Sequence, residues 1–299
     1  MTTARGRRTV AALLASGLAL GLASCASAGG DPAATSTASP APAVEQTTDD
    51  GVVGVEIAQG RSDYASGTIS VRVEALASDV TVRSVVLSGD VLRTTAEWSD
   101  VTVVPRGASR DLRMTFPGAS CASDDARTRV AIEYTVDETR SSADLDAADP
   151  GGVIERLAGR DCFAREVAAT ASLELAGDLV GPPSGDGSSV VELRVDPVDA
   201  AAGGFTIESV EATTLLEPAG GGPEWQLDVD VDGDDQAIGI PLEIAPARCD
   251  AHAVAEDKVG TLFPVRIALA NGGDGVVLVA ASDEVRAALY GFVARSCGW

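Results

Sequence analysis

The chain has 299 residues, 45% hydrophobic and only 4% aromatic, with a formal charge of −23 at neutral pH. That length allows one large domain or two of ordinary size, each burying its own core. A surface this acidic repels nucleic acid and anionic headgroups, which excludes a nucleic-acid partner; it is compatible with divalent cations or a basic partner.

The first ten residues, MTTARGRRTV, are basic, and the next fourteen, AALLASGLALGLAS, are apolar and small. Together they have the form of a secretory signal, too short and too rich in Gly and Ser for a comfortable membrane span. Leu22-Ala23-Ser24-Cys25 follows the pattern of a branched apolar residue, two small ones and a cysteine. It resembles the lipobox of bacterial lipoproteins. The resemblance implies that residues 1–24 are a signal peptide and that Cys25 carries a diacylglycerol thioether and becomes the first mature residue. The protein is then exported and lipid-anchored to the outer face of the cytoplasmic membrane. Burial of about 0.8 kcal/mol per methylene makes two acyl chains a stable anchor. An ordinary secretory signal is the competing reading, and Arg7-Arg8 leaves the twin-arginine export route open beside the general one. A single lysine, Lys258, among abundant Ala, Gly, Val and Arg fits a GC-rich bacterium such as an actinobacterium. Residues 25–50, dominated by Ala, Ser, Thr and Pro, offer little to bury and predict a flexible spacer.

Beyond Asp50 the dominant signal is alternation of apolar and polar residues, as in TISVRVEA, VTVRSVVLS and RVAIEYTV, which predicts strands with one buried face. The order of segments then recurs. Val55-Glu56-Ile57-Ala58 returns as Leu173-Glu174-Leu175-Ala176, Glu97-Trp98 as Glu224-Trp225, and Arg160-Asp161-Cys162 as Arg295-Ser296-Cys297. This predicts an internal duplication, with repeats at 51–166 and 167–299. Each repeat ends in a helical signal: Ile154 and Leu157 after Asp149-Pro150, and Val285, Leu289 and Phe292 after a capping Ser282. The apolar GVVLVAAS of the second repeat corresponds to the polar SSADLDAA of the first, which predicts a weak edge strand or a loop there.

Setting Cys25 aside leaves four cysteines, two per repeat. Four allow three pairings, and the duplication selects Cys121–Cys162 and Cys249–Cys297, as an exported chain permits; four free thiols are the alternative. The expected fold class is mainly β, two tandem immunoglobulin-like β-sandwich repeats each ending in a short helix. The likeness is one of architecture, because Trp98 and Trp225 precede both cysteines of their repeats instead of lying between them. They are expected as core aromatics.

Catalytic groups are scarce. The single histidine, His252, is expected in an exposed loop, and a Ser-x-x-Lys site at Lys258 is excluded by Ala255. No Gly-rich phosphate loop follows a strand and opens a helix. Asp228, Asp230, Asp232 and Asp234 resemble the start of a calcium loop, yet Gly239 stands where the closing glutamate would be. The preferred reading is a hairpin turning at Asp232-Gly233, with the four aspartates kept as weak calcium candidates. No cofactor is expected. With so many acids a carboxylate pair is expected by accident and carries no weight. These features point to a non-enzymatic binding or structural role at the cell envelope, with an envelope protein or ligand as partner. The alternatives are a solute-binding lipoprotein, which predicts two α/β lobes, and a carboxylate-dependent envelope hydrolase.

Overall fold

Apolar residues on a two-residue period put one face of a strand out of water, and two such faces must meet to form a core. The computed structural model describes residues 47–48, 51–64, 66–122, 127–176, 179, 188–198, 203–255 and 259–299. The leader, Cys25 and, except for Thr47 and Thr48, the 25–50 spacer lie outside the described residues.

The first repeat contains β1 (Val53–Ala58), β2 (Thr68–Ala75), β3 (Val80–Ser88), β4 (Ala96–Val104), β5 (Ser109–Thr115), β6 (Arg129–Val136) and β7 (Thr139–Asp146). They form two antiparallel sheets, ordered β1-β2-β5 and β4-β3-β6-β7. The second repeat contains β8 (Ala171–Leu175), β9 (Ser189–Pro197), β10 (Gly204–Glu211), β11 (Leu216–Pro218), β12 (Glu224–Asp232), β13 (Ile238–Pro246), β14 (Leu262–Leu269) and β15 (Asp274–Ala280). Its sheets are ordered β11-β13-β9-β8 and β12-β10-β14-β15. In each repeat the inward Val, Ile and Leu of both sheets close one core, so the chain is mainly β, two immunoglobulin-like sandwiches in tandem.

The two repeats agree in register. Val55 pairs with Val73 and Leu173 with Val195. Opposite β4, the register of β3 shifts between Val82 and Ser84; opposite β12, that of β10 shifts between Ile207 and Ser209. A β-bulge is thus placed alike in both, and bulges are features that a fold keeps. Even the short β11 has a counterpart, an isolated bridge between Leu92 and Ala119. The polar stretch of the first repeat is a full strand, β7, lying along β6 at the sheet edge.

Three helices complete the body: α1 (Val153–Thr170), α2 (Ala251–Ala255) and α3 (Asp283–Cys297). Ser282 caps α3 by accepting the Val285 N–H at 3.2 Å. Gly298, with φ 77°, ends it in the left-handed region that favours glycine. Val285, Leu289 and Val293 bury fully against the second core, each contributing about 2 kcal/mol. At the start of α1 the Asp149 carboxylate accepts the Val153 and Ile154 N–H groups, both at 2.8 Å.

Two expectations are corrected. The helix closing the first repeat is not short: it runs through Glu166 to Thr170, and β8 begins at the next residue. Its first half (Val153, Ile154, Leu157, Ala158) is built into the first core and its second half (Phe163, Val167) packs on the second. Nor is there a hairpin at Asp232-Gly233, because β12 pairs with β10 while β13 pairs with β9 and β11 in the facing sheet. The inward residues Ile240, Leu242 and Ile244 complete that facing sheet. Residues 233–237 span up to about 16 Å, enough for the roughly 10 Å step between sheets.

Candidate functional site

Both expected disulfides are formed. Cys121, in the segment after β5, joins Cys162 on α1 across a Cα–Cα distance of 5.6 Å, and Cys249, after β13, joins Cys297 at the end of α3 across 5.3 Å. Each ties a sheet to the helix of its own repeat. Loops of 41 and 48 residues correspond to about 4 kcal/mol apiece on the chain-entropy account. Trp225 is a core residue whose indole N–H donates to the Glu243 carbonyl at 2.8 Å, while Trp98 is half-buried against the first core.

The four aspartates lie along and just beyond β12. Asp228 adopts φ 51° within the bulged segment. Asp230 accepts the Thr206 hydroxyl at 2.7 Å, and the Asp232 N–H donates to Asp235 Oδ2 at 2.8 Å. Among the described residues no group of three His, Cys, Asp or Glu side chains is placed to hold a metal ion. His252 lies exposed on the five-residue α2, its backbone N–H donating to Asp250 Oδ1 at 3.0 Å.

Asp230 and Asp232 do line the mouth of a shallow groove where the repeats meet. One part, of about 250 Å³, lies between the start of β10, the end of β12 and the end of β14. The adjoining part, of about 290 Å³, lies between Glu166 and Thr170 of α1 and Asn271 of the β14–β15 turn. Across this second part Asn271 donates to Glu166 Oε1 at 2.6 Å, linking the β14–β15 turn to α1. The Asp232 carboxylate lies over Gly204, where a Cβ would come within 2.3 Å of it. Glu166, Asn271 and Thr206 carry no motif of their own in the sequence; the paired glycines Gly203-Gly204 and Gly272-Gly273 are the signal there for close backbone approach.

The surroundings are strongly acidic. Residues 171–299 carry six basic against twenty-two acidic side chains, whereas residues 51–170 carry thirteen against nineteen. Equivalent arginines show the contrast. Arg72 bridges Glu56 at 2.9 Å and Asp111 at 2.8 Å across three strands, and the hydrogen bond to Asp111 does most to hold its pKa above the ordinary value. Its counterpart Arg194 is likewise raised, chiefly by Asp196, but faces Gly239 where Asp111 would be. The groove offers carboxylates, a hydroxyl and an amide to a cationic or hydrogen-bonding partner.

No helix among the described residues is long and apolar enough to cross a membrane. No family model matches the chain, and no curated protein matches it. Among solved structures it is similar to an exo-chitosanase from Amycolatopsis orientalis, at 15% identity and TM-score 0.20 over 75% of this chain and 26% of that one. It is also similar to the YadV chaperone, at 15% identity and TM-score 0.19 over 75% and 99% of the two chains. A third similarity is to the calcium-binding domain CBD12 of CALX1.1, at 14% identity and TM-score 0.18 over 74% and 79%. The chain spans about a quarter of the length of the chitosanase.

Proposed function

We propose that the chain is an exported lipoprotein, held through a lipid on Cys25 to the outer face of the cytoplasmic membrane, and that it performs a non-catalytic binding or structural role at the cell envelope. The observation that carries this reading is a lipobox-like leader placed ahead of a body closed by two disulfides. Such bonds persist where the surroundings are oxidising. The Ala/Ser/Thr/Pro spacer up to Asp50 holds that body off the bilayer. Joining of the two sandwiches through α1 supports one joint presenting surface over two independent modules, and the acidity of residues 171–299 supports a basic partner. Four antiparallel sheets among the described residues weigh against a solute-binding lipoprotein of two α/β lobes.

Mass spectrometry of the native protein extracted from membranes tests the tether. The N-terminal peptide is expected to begin at Cys25 with a diacylglyceryl adduct, and the C25S variant is expected in the medium. A bare Cys25 thiol or a retained leader would overturn the reading. Affinity capture from intact cells then identifies the partner, with a basic envelope component expected.

A further inference from the structure

The two disulfides occupy matching places but differ in their electrostatic setting. Cys297 Sγ lies 3.8 Å from the Arg248 carbonyl oxygen, and among the described residues no arginine side chain hydrogen-bonds to that disulfide. At the other, Arg165 Nη2 donates to Cys121 Sγ and lies 3.7 Å from Cys162 Sγ. Arg165 is fixed there by Asp161 at 2.9 Å and by the Ala119 carbonyl. A second cation, Arg93, reaches the same Asp161 carboxylate at 3.5 Å with its guanidinium lying over Gly118. Among the described residues two guanidiniums face one carboxylate there, leaving positive charge beside an exposed sulfur. Cys121 also takes φ 54°, a backbone region that residues with a side chain avoid.

We propose that Cys121–Cys162 is a redox-labile clasp, opened by an external dithiol, that sets how firmly α1 is held to the first repeat and so how rigidly the two repeats are joined. This inference does not rest on the lipid tether. Thiol–disulfide exchange proceeds by thiolate attack, and a neighbouring cation stabilises both the incoming and the leaving thiolate. One thiol of the reductant loses its proton and attacks the exposed Cys121 Sγ. The Cys121–Cys162 bond breaks, and Cys162 leaves as a thiolate beside Arg165 and takes a proton from water. The second thiol of the reductant, deprotonated in turn, attacks its partner's sulfur in the mixed disulfide and releases Cys121, which is then protonated. The dithiol leaves as a disulfide, having given two electrons and two protons to the protein. Cys162 lies where α1 passes from one core to the other, so opening the bond removes a covalent constraint at the joint itself.

The test is to treat the folded protein with a graded series of a small dithiol, quench by alkylation and measure each cysteine's labelling by mass spectrometry. Cys121 and Cys162 are expected to label about tenfold faster than Cys249 and Cys297. R165Q is expected to slow only the first pair, and R165K to restore its rate. If R165Q loosens the fold and speeds both pairs, salt dependence of the wild type decides: with an anionic thiol, added salt should slow the first pair alone. Equal rates for the two pairs, or a salt-independent first pair, would overturn the lability. Energy transfer between dyes attached to the two repeats by non-cysteine chemistry should broaden when the first pair opens; an unchanged distribution would overturn the clasp.

Discussion

Strands β7 and β15 hold the same place in their sandwiches and are made of opposite materials. Matching register puts Ser141, Ala143 and Leu145 of β7 where β15 has Gly275, Val277 and Val279 on the inner face. On the outer face Ser142 and Asp144 stand where β15 has Val276 and Leu278. The difference follows from what lies against each strand. The second half of α1 packs against β15 and β8, and Phe163 comes so close that a Cβ on Gly275 would sit 3.0 Å from three of its ring atoms. β7 meets no such ring and keeps a serine there. Its outer face is laced with ion pairs instead: Arg129 to Asp144 at 3.0 Å and to Asp146 at 2.9 Å, and Arg140 to Glu133 at 2.7 Å. The two strands thus differ with their neighbours: β15 leaves room for the Phe163 ring at Gly275, and the outer face of β7, at an open edge, carries charges that discourage pairing.

If α1 is what permits an apolar β15, damage to its second half should fall on the second repeat. Val167→Asp places a charge among residues that are dry in the second core; the expected loss is about 4 kcal/mol, read as selective loss of the second repeat in native-state hydrogen exchange. Phe163→Ala is milder because the ring is only half-buried: about 2 kcal/mol, from denaturant melts. Gly275→Ser, which installs the first repeat's residue, should cost about 1–2 kcal/mol by overpacking against the ring. Combined with Phe163→Ala it should cost almost nothing more. A double-mutant cycle showing simple additivity would sever the link between the glycine and the ring.

Much of this arrangement was legible beforehand. Alternation located most strands, Ser282 marked the start of α3, and the repeated Cys positions selected the pairing that is formed. The length of α1 was not legible, for a geometric reason. At 100° per residue, Val153, Ile154, Leu157 and Ala158 centre on one direction of the helix, whereas Phe163 and Val167 centre about 130° round from it. A helix that serves two cores in succession shows no single apolar stripe, so Ile154 and Leu157 mark only its first half. Asp-Gly is a hairpin signal only when the flanking strands pair, and the step from β12 to β13 is set instead by their pairing with the distant β10 and β9. The groove residues Glu166, Thr206 and Asn271 come from three separate segments, and no local spacing links them.

The smallest expected change in stability carries the sharpest version of the comparison. Replacing Ser142 with Val and Asp144 with Leu gives β7 the outer face of β15. Asp144 is exposed and its ion pair with Arg129 is solvated, so the monomer should lose no more than about 0.5 kcal/mol. The consequence should appear between molecules. β7 has one free edge, and removing its charges while adding β-branched and apolar surface favours pairing with the same strand of another copy. Light scattering over a concentration series should show association in this variant, and addition of Arg140→Thr should strengthen it. The converse change, Leu278→Asp on β15, should leave association unaltered and lower stability, because that strand lies against α1 and β8 and is not open to a neighbour. If the β7 variant stays monomeric at high concentration, protection of the edge is not what its charges are for, and the divergence of the two strands needs another cause.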